Sequence, residues 1–221
     1  TCAWMVFQQT FFHPDKYKHY VKFWGFKGPL ACWICIWGMI AMLTSAPFDD
    51  WWHNTYGLDV QIVSPPHIVL ALGIFAIFLG SLQLVLAERN LAQESQKKIY
   101  DYLYLYAASL ILLQFCIILT EYSFVNKQHS LEFYKLSTIF YGFVIIAFSE
   151  AARTKYAATI IAGLYMIHRL LILWILPLFE AEPLLGPIYR EITHYVAPEF
   201  PLLLIIPAII IDIVRSRFTL S

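Results

Sequence analysis

Charge is scarce in this chain, and that scarcity sets its class. Asp, Glu, Lys and Arg make up 14% of the residues and hydrophobic residues 60%, where a soluble domain carries roughly a quarter charged residues. With a mean hydropathy of +0.63, the sequence reads as a membrane protein. Fifteen basic and fifteen acidic residues cancel to a formal net charge of +0. No global field draws the chain to nucleic acid, and no nucleic-acid partner is expected. Neither a glycine-rich phosphate loop nor a G-x-S-x-G elbow occurs, which argues against soluble-type phosphoryl or acyl transfer. Cysteine is equally sparse, at four residues. Cys32 and Cys35 form a C-x-x-C inside an apolar run, where thiols one turn apart pack as small hydrophobes. Cys2 and Cys116 stand isolated in the sequence, so no disulfide framework is implied.

Long apolar runs are what the sequence does have. Those at 29–47, 66–87, 102–120, 133–148, 156–179 and 196–214 come close to the roughly 20 residues a helix needs to cross a bilayer. Residues 1–12 are apolar, too short to span and without an initiator methionine, and read as the tail of a further helix. The expected fold is an all-α polytopic integral membrane helix bundle, with six full transmembrane helices and a truncated one at the N-terminus. It forms one domain over 1–221, and the lipid bilayer is its first partner.

Basic residues orient such a bundle. Lys16, Lys18, Lys22 and Lys27 precede the first full span, and Arg89, Lys97 and Lys98 follow the second. Arg153 and Lys155 follow the fourth, and Arg215 and Arg217 close the last. The opposite side holds Lys127 and Arg190. The positive-inside rule then puts 48–67 and 180–194 outside, on the periplasmic side of a bacterial inner membrane. Within the fifth span, His168 and Arg169 should face the bundle interior, because a charge facing lipid is costly. Arg169 would pair with Glu121 or Glu150, or line a wet cavity. Gln83 and Gln114 suit interhelical hydrogen bonds.

The stretch FDDWWHNTYGLDVQIVSPPH, 48–67, concentrates three aspartates and two histidines without a lysine or arginine. Trp51, Trp52 and Tyr56 suit interfacial anchors. If the helix continues through Pro47, Asp49 and His53 lie at i and i+4 on one face. Ser64 reads as an N-cap, Pro65 and Pro66 as a first turn, and His67 as a residue at the mouth of the next span. Asp49, His53 and His67 would then form an open three-ligand metal site suited to copper, zinc or iron. The alternatives are hydrogen-bonded interfacial side chains or a solvated loop. The segment THYVAPEFP at 193–201 repeats a histidine, prolines and an acid at the head of a span. His194 is therefore an additional candidate ligand, with Glu199 beside it, whereas Glu180 and Glu182 read as solvated acids.

In order and spacing, Asp49, Trp52-His53, Asp59 and Pro65-Pro66-His67 resemble the C subunit of the copper membrane monooxygenases, the particulate methane and ammonia monooxygenases. The resemblance covers about 20 of the 221 residues. It implies copper held by Asp49, His53 and His67, dioxygen-dependent hydroxylation of a small apolar substrate, and further membrane subunits in a complex. The gap between the two histidines is one residue longer than in the family. The family's second site, an Asn-x-x-x-His, has no counterpart, since Leu164 stands four residues before His168. Two other readings are a non-catalytic subunit of a respiratory or photosynthetic complex, binding haem, pigment or a partner, and a transporter built around His168 and Arg169.

Overall fold

The computed structural model describes residues 1–14, 17, 19–57, 63–119, 129–182, 191–197 and 201–218. Among them the protein is helical apart from one small hairpin. The elements are α1 (Cys2–Phe11), β1 (Val21–Phe23), β2 (Phe26–Gly28), α2 (Leu30–Tyr56), α3 (Pro65–Leu91), α4 (Glu94–Ile118), α5 (Leu131–Ala151), α6 (Ala157–Ile175) and α7 (Ile205–Phe218). Five helices are long and apolar enough to cross a membrane: α2, α3, α4, α5, and α6 with the 3-10 turn that extends it to Leu178. They match the first five expected spans. The sixth is represented by α7, 14 residues long, which is shorter than the roughly 20 a full crossing needs. The chain divides into two compact units, Thr1–Gln114 and Phe115–Ser221.

In the first unit, the packing of α2 on α3 depends on small residues. A Cβ added to Gly38 would lie 2.6 Å from the Gly73 carbonyl oxygen, and one on Gly73 would lie 2.8 Å from that of Gly38. Only glycine allows this approach, which brings the two backbones together as small residues do between membrane helices. Farther along, Gly80 sits against Cys35 and Ala31 in the same way. The two helices are antiparallel neighbours, so the end of α2 and the start of α3 meet at one end of the pair.

At the other end, α1 and the hairpin pack against α2. The strands pair Val21 with Gly28, Lys22 with Lys27 and Phe23 with Phe26. Trp24 and Gly25 form the turn, with φ of 46° and 87°, the two positive values that a tight two-residue hairpin turn requires. Trp24 is 89% exposed at this tip. Gln9 donates to the Tyr17 carbonyl at 2.9 Å and the Tyr17 hydroxyl donates to Glu88 Oε1 at 2.7 Å, tying this corner to α3. Burial, reinforced by Glu88, pushes the Tyr17 phenol well above its ordinary range and keeps the proton on the donor. Arg89 and Asp101 form an ion pair between α3 and α4.

In the second unit, α6 lies against both α5 and α7. Its first turn is capped from α7, because Asp212 accepts from Ala158 N at 3.3 Å, Thr159 N at 2.7 Å and Thr159 Oγ1 at 2.7 Å. Backbone donors left over at a helix start are thereby satisfied by a carboxylate, which the helix dipole also favours. Arg215 completes the arrangement, reaching Glu150 at 2.6 Å and Asp212 at 3.8 Å.

Candidate metal centre

α2 runs without a break through Pro47 to Tyr56, so Asp49 and His53 occupy one face as the i, i+4 spacing predicts. Their side chains meet, with His53 Nε2 3.3 Å from Asp49 Oδ1. His67, in the first turn of α3, brings its own Nε2 to 3.7 Å from the same oxygen. Three donor atoms from two helices therefore converge. Phe48, Trp51, Trp52 and Tyr56 stack beside them as an aromatic belt.

Each imidazole is also held from behind. His53 Nδ1 lies 3.1 Å from the Gly57 carbonyl oxygen. A carbonyl can only accept, so that nitrogen carries the hydrogen. In a neutral ring Nε2 is then the lone-pair nitrogen, and it faces a carboxylate oxygen that can only accept. Two acceptors at 3.3 Å need a positive charge in or near the contact, either a proton on the ring or a cation. Gly57 supplies its carbonyl from a backbone with φ of 89°, a left-handed-side conformation that glycine adopts without strain. His67 Nδ1 is 2.9 Å from Ser64 Oγ. Ser64 stands at the N-cap position, as the sequence predicts, but its hydroxyl makes no cap hydrogen bond and orients the imidazole instead. Backing of this sort fixes the tautomer and direction of a ligating histidine.

Asp49 Oδ1 is buried and has no hydrogen-bond donor. An orphaned carboxylate oxygen beside two imidazole nitrogens suits a transition-metal ion in donor chemistry. The 3.3 and 3.7 Å separations also bracket the about 3.4 Å between neighbouring ligands of a tetrahedral ion bound at about 2.1 Å. Yet among the described residues no three His, Cys, Asp or Glu side chains already stand in a complete metal-holding arrangement.

Other candidate residues have different surroundings. His194 belongs to the second unit, where it forms an isolated antiparallel bridge with Glu180 and its Nδ1 lies 3.0 Å from Thr193 Oγ1. Asp59, Glu121, Lys127, Arg190 and Glu199 lie outside the described residues. Arg169 is buried at 2% exposure, as its position in an apolar span predicts. It lies beside Tyr165 and Cys116, and Glu150, one of its two expected partners, pairs with Arg215. His168 Nδ1 is 2.7 Å from the Leu164 carbonyl.

All four cysteines are free, as the absence of a disulfide framework predicts, but the two that stand alone in the sequence have neighbours in space. Cys2 packs against the buried cluster that contains Cys32. Cys116 is not isolated either: its sulfur lies 3.1 Å from the Tyr165 hydroxyl and 3.2 Å from that of Tyr141. Neither contact has a local signal, since each joins helices distant in sequence. Compared with protein-family models, with curated proteins and with solved structures, the chain matches none.

Proposed function

We propose that the chain is a metal-binding integral membrane subunit of an oxidoreductase, with Asp49, His53 and His67 as ligands. The observation that carries this reading is the convergence of two imidazole Nε2 atoms on one buried, donor-less oxygen of Asp49. Copper is the first choice of ion and zinc or iron the next, since imidazole and carboxylate together suit all three. Bound copper would supply dioxygen activation, and the resemblance to the copper monooxygenase C subunit suggests hydroxylation of a small apolar substrate. The protein's own part is orientation: Gly57 and Ser64 aim the rings, and the α2–α3 pair fixes the distance between them. The distribution of lysine and arginine supports a bacterial inner membrane, with 48–67 facing the periplasm. Six full spans, an additional N-terminal helix and further membrane subunits belong to the same proposal.

The test is elemental analysis of the detergent-purified chain beside His53→Ala and His67→Ala, all with an optical spectrum. The reading predicts about one equivalent of metal more in the parent protein than in either variant, and no haem band. Equal metal content in all three would end it. The lack of a complete three-ligand arrangement favours a second reading, in which protonated histidines clasp Asp49 and close this end of the helix pair. It predicts no metal difference, together with a loss of thermal stability in the histidine variants.

A further inference from the structure

The β1–β2 hairpin sets two like charges side by side. Lys22 and Lys27 are paired across its strands, so their side chains share one face. The neighbouring pair, Phe23 and Phe26, takes the other face and packs edge-on against Trp33, Trp37 and Phe11. The lysine face is thereby turned away from the helices. Like charges directly opposite each other destabilise a strand pair, and neither lysine forms an ion pair among the described residues. Glu88, Glu94 and Asp101, at the α3–α4 junction, are already engaged by Tyr17, Lys97 and Arg89. Lys22 is exposed, and Lys27 Nζ lies 5.4 Å from the centre of the Tyr20 ring. Tyr20 in turn lines a surface groove of about 530 Å³ with His19, Val21 and Leu30.

The depth of this hairpin follows from α2. Trp51, in the aromatic belt, lies 21 residues beyond Leu30, about 32 Å along a helix and close to the roughly 30 Å of hydrocarbon in a bilayer. With the belt at one face of the membrane, the hairpin, which ends at Gly28, stands at the headgroup level of the other. Trp24, exposed at its tip, has the amphipathic ring suited to that level. We propose that the hairpin binds the phosphate of an anionic phospholipid, held between Lys22 and Lys27, with its acyl chains along the exposed Leu30 at the head of α2. A lysine ammonium takes phosphate as a point charge, and one anion between the two lysines offsets the repulsion of both. A zwitterionic lipid brings its own cation and leaves that repulsion largely in place. The site is independent of Asp49, His53 and His67, which lie toward the other end of the α2–α3 pair.

The experiment compares binding of phosphatidylglycerol and phosphatidylcholine to the full chain in detergent, by native mass spectrometry. The parent protein should prefer phosphatidylglycerol. That preference should fall about fivefold in Lys22→Gln and about 25-fold when Lys27→Gln is added, as the attraction of a basic side chain to anionic lipid predicts. Replacing both lysines by arginine keeps the charge and should keep the preference, which separates loss of charge from damage to the hairpin. Lys98→Gln, at an exposed position on α4, should change it by less than about twofold, since charges more than a Debye length away are screened. Inorganic phosphate at the same concentration as the lipid should not displace it. Displacement would assign the lysines to a free phosphate and overturn the proposal. Equal binding of the two lipids by the parent protein would overturn it too, and leave the lysine face to an acidic protein segment. So would an unaltered preference in the double glutamine variant, or an equal fall in Lys98→Gln.

Discussion

Asp49 and Asp212 are the same side chain put to opposite uses. Asp212 is saturated: two backbone amides and a threonine hydroxyl donate to it, and Arg215 balances its charge. That is how a buried carboxylate holds a fold together, since charge-assisted hydrogen bonds offset the cost of burial. Asp49 Oδ1 has no hydrogen-bond donor and faces two imidazole nitrogens. Its surroundings are incomplete until something positive enters them. The contrast separates a carboxylate that builds a helix junction from one poised to bind.

Substitutions should widen that contrast. The largest effect is expected from Asp49→Ala, which should weaken metal binding by more than about 100-fold while shifting stability by under about 1 kcal/mol, since it makes few bonds to lose. Equilibrium dialysis and thermal unfolding of the same preparation measure both quantities. For Asp212→Ala the pattern should invert, with about 3 kcal/mol of stability lost and metal affinity unchanged, because the α6 amides and the Thr159 hydroxyl lose their acceptor. Gly73→Leu should cost about 1 to 3 kcal/mol through overpacking, and it should weaken metal binding as well by spreading α2 from α3. A Gly73→Leu protein of unaltered stability would mean that the close approach at Gly38 does not hold the pair. The smallest effect belongs to Ser64→Ala, which leaves all three ligands in place and should weaken metal binding about tenfold by releasing the His67 ring. Unchanged affinity there would show that His67 is oriented by its helix alone.

Much of this was legible locally. The helix start at Pro65 and, given a helix that continues past Pro47, the i, i+4 pairing of Asp49 with His53 follow from spacing and proline chemistry within about 20 residues, and the structure has both; that α2 continues unbroken through Pro47 was a condition the structure supplies. The hairpin was not legible. Its strands are three residues long, and tryptophan occupies a positive-φ position where asparagine, aspartate or glycine is the usual choice. Nor did Asp212 stand out, since a lone acid in an apolar run becomes a cap only when α7 packs beside the start of α6. Cys2 looked isolated for a related reason, as Cys32, in the cluster it packs against, lies on another helix. Contacts within a turn or two can be read from spacing, whereas contacts between helices depend on how the helices pack.

The most direct test of the central claim compares the metal content of the parent protein with that of Asp49→Asn, which keeps the shape of the side chain and removes its charge. The account predicts about one equivalent of copper, zinc or iron lost on substitution, with thermal stability nearly unchanged. Equal metal content in the two proteins would contradict it, and Asp49 would then be an ion-paired residue closing the end of a helix pair.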